Sequence, residues 1–286
     1  MSLKMKKERI KLATLGPKGT FSHEAAVKFC KDCKIVFCSD IEEIFDAVEE
    51  SRADFGIIPV ENSLEGSVAL TLELLLERNA EICREIVINI NHHLLALKGA
   101  RMGSIKQVFS HPHALAQCRG IIKKLKLGTR NFLSTAEAAK EIASKKLKDS
   151  AAIASEMAAK IYGLEIIKKN IQDYSENKTR FFVIARKCGN RKTEAGKKRT
   201  GKMKSSIIAG IKDRPGALHD MLGSFAKKGI NLTKIESRPS KRKLGDYVFY
   251  IDFEGDAEGK KVKDILKELS AAATFVKVLG SYPYGS

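Results

Sequence analysis

Apolar and polar positions along the first 186 residues switch repeatedly between two periods. Short apolar runs such as "KLATLG" (11–16), "KIVFC" (34–38), "FGIIPV" (55–60), "IKQVFS" (105–110) and "AAIAS" (151–155) read as strands. Between them, 20–32, 40–51, 70–79, 113–125, 135–146 and 155–163 have helical character. A longer β-rich run, "EIVININHHLLAL", covers 85–97. Asp40 followed by Glu43 has the spacing of a capping box, and Ser22 is the expected cap of the first helix. This alternation predicts α/β units with helices on the sheet faces.

The pattern breaks at 187–204, "KCGNRKTEAGKKRTGKMK", which is polar, basic and almost without hydrophobic periodicity. It predicts a linker. Beyond it, 205–280 runs strand, helix, strand, strand, helix, strand, from "SSIIAGI" through "DYVFYIDF" to "TFVKVLGSY". That order predicts a small ferredoxin-like βαββαβ domain of the α+β class.

A formal net charge of +18 raises nucleic acid as a partner. Its placement argues otherwise. Residues 1–11 hold five basic groups and one acid, and 187–204 hold eight and one, so most of the excess sits in a terminus and a linker. No zinc finger, helix-turn-helix or aromatic-plus-basic RNA motif accompanies it. The expectation is no nucleic-acid partner, with the charge favouring a small anionic substrate. No apolar run has membrane-spanning length and no secretory signal opens the chain, which predicts a cytoplasmic protein with no membrane partner. Of six cysteines, Cys30 and Cys33 form a C-x-x-C without the second pair a metal site would need. Ordinary reduced cysteines and no metal are expected.

Four loops carry polar residues that a fold does not require. "GPKGTFS" (16–22) joins a strand to a helix start, with Thr20 and Ser22 near free N–H groups that favour an anion. "PVENSLEGS" (59–67) places Glu61, Asn62 and Ser63 at the carboxyl end of a strand, where open α/β sheets bind ligands. "FSHPHALAQC" (109–118) delivers Ser110, His111 and His113 to a helix whose Gln117 lies one turn on. Ser110 lacks the surroundings of a serine nucleophile, and the two histidines lack a third metal ligand. His92 and His93 lie mid-strand, one facing the core. "IQDYSENKTRFF" (171–182) clusters Asp173, Asn177, Thr179 and Arg180 before an apolar run. Arg180 suits a bidentate grip on a carboxylate, so these loops together describe a pocket for a small dianion.

In this order, "LGPKGTFSHEAA", "GIIPVENSLEGSV", "SHPHALAQC", "STAEAAK" and D-x-x-x-N-x-T-R-F at 173–181 resemble prephenate dehydratase over essentially the whole chain. "DRPGALHDML" (213–222) and "KIESRPSK" (234–241) resemble the two phenylalanine-binding motifs of its ACT regulatory domain. The resemblance implies a catalytic region at 10–186 with two α/β lobes (about 10–88 plus 180–186, and 89–179). These are similar in topology to type II periplasmic binding proteins, with the active site in the inter-lobe cleft. An ACT domain follows at 205–280. The implied reaction converts prephenate to phenylpyruvate without metal or organic cofactor.

By the same resemblance Thr179 is the catalytic hydroxyl. Asn62, Ser110 and Gln117 line its pocket, with Arg180 nearby and Glu61, Ser63 and Thr20 as further polar contacts. Gly216, Ala217 and Leu218 would meet Glu236, Ser237, Arg238 and Pro239 of a partner subunit around an L-phenylalanine effector, in a homodimer or homotetramer. One departure from the family is His113, where a glutamine is common. It would cap its helix or tune substrate binding with pH. Arogenate dehydratase, and a non-catalytic amino-acid sensor on the same scaffold, remain alternatives.

Overall fold

The computed structural model describes residues 9–186, 202–211, 214–240 and 246–284. Strand and helix alternate first as β1 (Lys11–Leu15), α1 (Phe21–Phe29), β2 (Lys34–Cys38), α2 (Ile41–Glu49), β3 (Phe55–Asn62), β4 (Gly66–Ser67), α3 (Ala69–Glu77) and β5 (Glu81–Asn89). Then come β6 (His93–Ala96), β7 (Gln107–Ser110), α4 (Pro112–Gln117), α5 (Arg119–Lys124), β8 (Gly128–Asn131), α6 (Thr135–Lys145), β9 (Ser150–Ala154), α7 (Glu156–Tyr162), β10 (Glu165–Lys168) and β11 (Lys178–Ala185). The C-terminal elements are β12 (Met203–Ile211), α8 (Ala217–Lys227), β13 (Leu232–Pro239), β14 (Tyr247–Glu254), α9 (Lys260–Ala272) and β15 (Ala273–Pro283). Residues 187–201 of the expected linker lie outside the described residues, and Met203 and Lys204 already belong to β12.

The chain forms two compact units, Met1–Val68 with Val87–Phe181, and Ala69–Ile86 with Phe182–Ser286. The α/β part holds two sheets, ordered β2-β1-β3-β11-β5 and β10-β6-β9-β7-β8. This is the two-lobed arrangement expected. β1 runs parallel to β2 and β3, and β7 parallel to β8 and β9. The long strand expected at 85–97 is two strands in different sheets. Between them the chain changes lobe: Ile90 N donates to Asn177 O (2.8 Å), and Ile171 N donates to His92 O (2.8 Å). The crossing segments therefore lie beside each other, and the side chains of Ile90, His92 and Asn177 reach the space between the lobes.

Helix starts follow the expected chemistry with one shift. Asp40 accepts Glu43 N–H at 2.8 Å, while the Glu43 carboxylate accepts Ser39 N–H at 2.7 Å. Thr20, not Ser22, caps α1. Its hydroxyl accepts His23 N–H at 3.1 Å, and Ser22 lies two residues past the cap, in the first turn of the helix. The glycine loop before α1 is held by the second lobe. Ser155 Oγ donates to Gly19 O (3.0 Å) and Tyr162 OH to Lys18 O (2.6 Å). A Cβ on Gly19, at φ +92, would stand 3.1 Å from Ala158 Cα, so the close approach this glycine permits is to α7. Cys30 and Cys33 are joined as a disulfide, against the expectation of reduced thiols. The turn after α1 brings their Cα atoms to 5.6 Å, inside the span a disulfide needs. Cys38 and Cys118 are free and buried.

In the C-terminal unit the antiparallel sheet β13-β14-β12-β15 carries α8 and α9 on one face, as the βαββαβ order predicts. Ile207, Phe225, Phe253 and Ile265 are among its core residues. The sheet's other face is also covered. β14 is buried from Val248 to Phe253, and Tyr250 OH donates to Leu72 O of α3 (2.9 Å). Lys277 Nζ donates to Leu76 O and Arg78 O at 2.8 and 2.7 Å, and Lys204 pairs with Glu85 at 3.1 Å. Gly280, at φ +149, lies against β5. A Cβ there would fall within 3.0 Å of both Ile82 O and Ile82 N, so only glycine fits. Among the described residues no helix is long and apolar enough to cross a membrane.

Candidate active site

A cleft of about 620 Å³ opens between the two lobes of the first unit. The start of α1 supplies Phe21 and Ser22, and the turn after β3 supplies Asn62 and Glu65–Val68. The crossing segments and β11 supply Ile90, His92, Thr179 and Phe181. His111, His113 and Gln117 come from α4 and its cap, and Leu133–Thr135 from the start of α6.

Thr179 ends a chain of oriented amides. Asn62 Oδ1 accepts the backbone N–H groups of Leu64 (3.0 Å) and Glu65 (3.1 Å). That fixes which way its amide faces, because only the oxygen can accept. Asn62 Nδ2 therefore donates, to Asn177 Oδ1 (2.8 Å), Lys178 O (3.2 Å) and Thr179 Oγ1 (2.9 Å). From the other end, the Glu65 carboxylate accepts Gln117 Nε2 at 3.0 Å, so Gln117 Oε1 faces Asn177 Nδ2 at 2.8 Å. Both ends impose the same polarity. Thr179 Oγ1 is used as an acceptor, its hydroxyl hydrogen has no acceptor among the described residues, and it is left to donate into the cleft.

His92 joins the same chain. Its Nε2 stands 3.0 Å from Gln117 Oε1, an atom that can only accept, so Nε2 carries the hydrogen. Nδ1 is buried without a hydrogen-bond partner among the described residues. The ring is 3% exposed, and burial, despite the Gln117 hydrogen bond, pushes its pKa down to about 4. His92 is therefore neutral at physiological pH. His111 is also lowered, by burial and then by His113. Its Nδ1 accepts His113 N–H at 3.3 Å, capping α4. The described residues lining the cleft include one carboxylate, Glu65, and neither lysine nor arginine.

Of the sequence-nominated pocket residues, the structure gathers Asn62, Gln117 and Thr179 on the cleft wall. The other five are placed elsewhere. Arg180 points away from Thr179, as alternation along β11 requires, and its Nη1 lies 3.7 Å from Glu61 Oε2. The same alternation along β3 turns Glu61 away from Asn62. Ser63 Oγ donates to Glu176 O (3.2 Å) and accepts Lys178 N–H (3.0 Å), tying two loops together. Ser110 is fully buried and donates to Ile153 O at 2.6 Å. Thr20 caps α1 and donates to Leu15 O at 3.0 Å.

Ser22, read beside Thr20 as an anion contact, does line the cleft, whereas Glu65, His92, Ser134 and Thr135 were not nominated. Glu65 and Ser134 lay inside quoted motifs, but nothing in their spacing marked them as facing the cleft. His92 and His93 are both buried, so the expectation that one faces the core did not single out the useful one.

In the C-terminal unit, Gly216 opens α8 at φ +78, followed by Ala217 and the partly exposed Leu218. Glu236 and Arg238 share one face of β13, joined Oε1 to Nη2 at 2.7 Å, with Lys234 3.1 Å from Glu236 Oε2. Ser237 and Pro239 lie on the exposed face of this edge strand. Asp213 and Lys241 of the two motifs lie outside the described residues.

A cleft between α/β lobes with an oriented hydroxyl donor, followed by a βαββαβ module, defines a small-molecule enzyme with an appended regulatory-type domain. A family model for prephenate dehydratase matches residues 12–189, and one for the ACT domain matches 205–271. The chain belongs to the prephenate dehydratase family, whose members are hydro-lyases. It is 47% identical over 281 residues to a bifunctional chorismate mutase/prephenate dehydratase of Aquifex aeolicus, covering 96% of this chain and 74% of that protein. It is 42% identical to arogenate dehydratase/prephenate dehydratase 2 of Arabidopsis thaliana, with 96% and 73% covered. Among solved structures it is similar to prephenate dehydratase of Arthrobacter aurescens in complex with L-Phe (32% identity, 96% and 90% covered, TM-score 0.86). It is also similar to GqqA, described as a novel type of quorum quenching acylase (30% identity, 96% and 98% covered, TM-score 0.87).

Proposed function

We propose that the cleft converts prephenate to phenylpyruvate and that Thr179 is its catalytic donor. The ring carbon–carboxylate bond breaks, its electron pair enters the ring, and the departing CO2 leaves an aromatic product. At the opposite ring carbon the C–O bond breaks with its pair on oxygen, which takes one proton and departs as water. Charge develops on that oxygen in the transition state, and a fixed donor there lowers the barrier. The observation that carries this reading is the amide chain from Glu65 and from the 64–65 backbone. It occupies the Thr179 lone pair and leaves the hydrogen available.

With no lysine or arginine among the described residues of the cleft wall, the substrate carboxylates fall to hydroxyls and helix starts. Ser22 lies at the positive end of α1, and Ser134 and Thr135 at that of α6. An amino-acid sensor on this scaffold would not require an oriented donor at 179. Acyl hydrolysis finds no activated serine at 110, whose hydroxyl is committed to Ile153 O.

The C-terminal domain is proposed to bind L-phenylalanine through Gly216, Ala217 and Leu218 of one protomer and Glu236–Pro239 of another. The cytoplasmic enzyme would then be a homodimer or homotetramer whose cleft populations shift with effector. Incubation with prephenate and identification of the product tests the reaction. Absence of phenylpyruvate refutes it. Calorimetry with phenylalanine tests regulation. Binding that Gly216→Val and Ser237→Ala leave unchanged would place the effector elsewhere.

A further inference from the structure

Glu65 is out of place in a cleft for a substrate with two carboxylates. Its Oε1 is committed to Gln117 Nε2 at 3.0 Å, and its own backbone N–H is held by Asn62 Oδ1 at 3.1 Å. The side chain therefore cannot swing away without breaking the chain that orients Thr179. Oε2 stands 4.0 Å from His113 Nδ1, too far for a hydrogen bond, and has no donor among the described residues. The His113 ring is turned edge-to-face toward His111, with centroids 4.9 Å apart. A carboxylate with one oxygen that accepts no hydrogen bond from the described residues, on a wall whose described residues include no lysine or arginine, repels an anionic ligand group and attracts a cationic one.

Prephenate and arogenate share the ring hydroxyl and both carboxylates. They differ at one group, a side-chain ketone in prephenate and an ammonium in arogenate. The ammonium has three donors and one positive charge, which is what Glu65 Oε2 lacks. We propose that Glu65 is a specificity-determining residue that gives the cleft an ammonium subsite, so that the chain accepts arogenate as well as prephenate. The proposal rests on the dehydratase reading above and refines its substrate class.

The test measures kcat/KM for both substrates in the wild type and in Glu65→Gln. Glutamine can still present Oε1 to Gln117 Nε2, so the variant removes the charge and keeps the amide chain. The arogenate-to-prephenate ratio is expected to fall at least about tenfold, with arogenate slowed and prephenate quickened. Damage to the fold would slow both together. A second variant, His113→Lys, places a permanent cation beside Oε2 without touching the Gln117 bond and is expected to lower the same ratio. A ratio that both variants leave unchanged overturns the proposal, as does a wild type that turns over prephenate but not arogenate. Turnover of neither substrate by the wild type would instead refute the dehydratase reading itself.

Discussion

Replacing Thr179 with valine removes one hydroxyl and little else. In the folded protein that hydroxyl accepts one hydrogen bond, from Asn62 Nδ2 at 2.9 Å. Asn62 Nδ2 keeps two other acceptors, Asn177 Oδ1 at 2.8 Å and Lys178 O at 3.2 Å, so the variant strands no buried donor. The stability cost is then that of one neutral hydrogen bond, about 1 kcal/mol. The catalytic cost is larger, because the lost donor faces an oxygen that gains charge as its bond breaks. Removing one preorganised donor of this kind costs about a hundred- to a thousandfold in kcat, roughly 2.7–4 kcal/mol of barrier. The assay is phenylpyruvate formation from prephenate across substrate concentrations, paired with urea unfolding of the same preparations. Thr179→Val should lose kcat with KM nearly unchanged, while Thr179→Ser, which keeps a hydroxyl, should recover most of it. A valine variant within about threefold of wild-type kcat would show that the donor is not used in the transition state. A loss confined to KM would make Thr179 a ground-state contact instead.

Three further outcomes follow from the same geometry. His92, whose pKa burial lowers from the ordinary 6.5 to about 4, is neutral in the fold and binds its proton in the unfolded chain first. Stability from this group is therefore present above pH 6.5 and is lost progressively as pH falls toward 4, by about 3 kcal/mol in all. Urea unfolding at pH 7 and pH 4 should show that much less acid sensitivity in His92→Gln, and an unchanged difference would refute the assignment. Gly280→Ala should destabilise by at least about 2 kcal/mol, since its Cβ collides with the Ile82 backbone and β15 must shift off β5. A melting temperature unaltered by the change would refute that close approach. Ser110→Ala should cost about 1 kcal/mol of stability through the lost bond to Ile153 O while leaving KM for prephenate within about twofold. A large rise in KM with unaltered stability would return Ser110 to the substrate.

The βαββαβ order and the α/β alternation were legible because burial imposes periods of 2 and 3.6 on the residues that carry it. The capping box at Asp40 was legible for the same local reason, since both partners lie within one turn. At the site, the polar loops around Asn62 and Thr179 stood out beside apolar strands, and the resemblance to the family assigned Asn62, Gln117 and Thr179 to the pocket. Arg180 was nominated as a carboxylate grip and Glu61 as one of three consecutive polar residues at a strand end, both next to residues that do face the cleft. Adjacency is a poor guide on a strand, where neighbours face opposite sides, and the two instead face each other.

What the sequence by itself determined is thus the set of local elements, the order in which they come and the family they spell. Only the tertiary structure decided which polar groups share a cavity. The amide chain joins residues 62, 65, 92, 117, 177 and 179, and its polarity depends on the backbone N–H donors of Leu64 and Glu65 at one end and the acceptor-only Glu65 carboxylate at the other, which the folded chain brings to the same wall. The tertiary structure also decided that α3 and β5 cover the second face of the C-terminal sheet. The apolar run of β14 was visible in the sequence, but its partner lies some 180 residues earlier, at Leu72. Periodicity records that a face is buried and not what buries it, because burial is non-directional and any apolar surface of matching shape satisfies it.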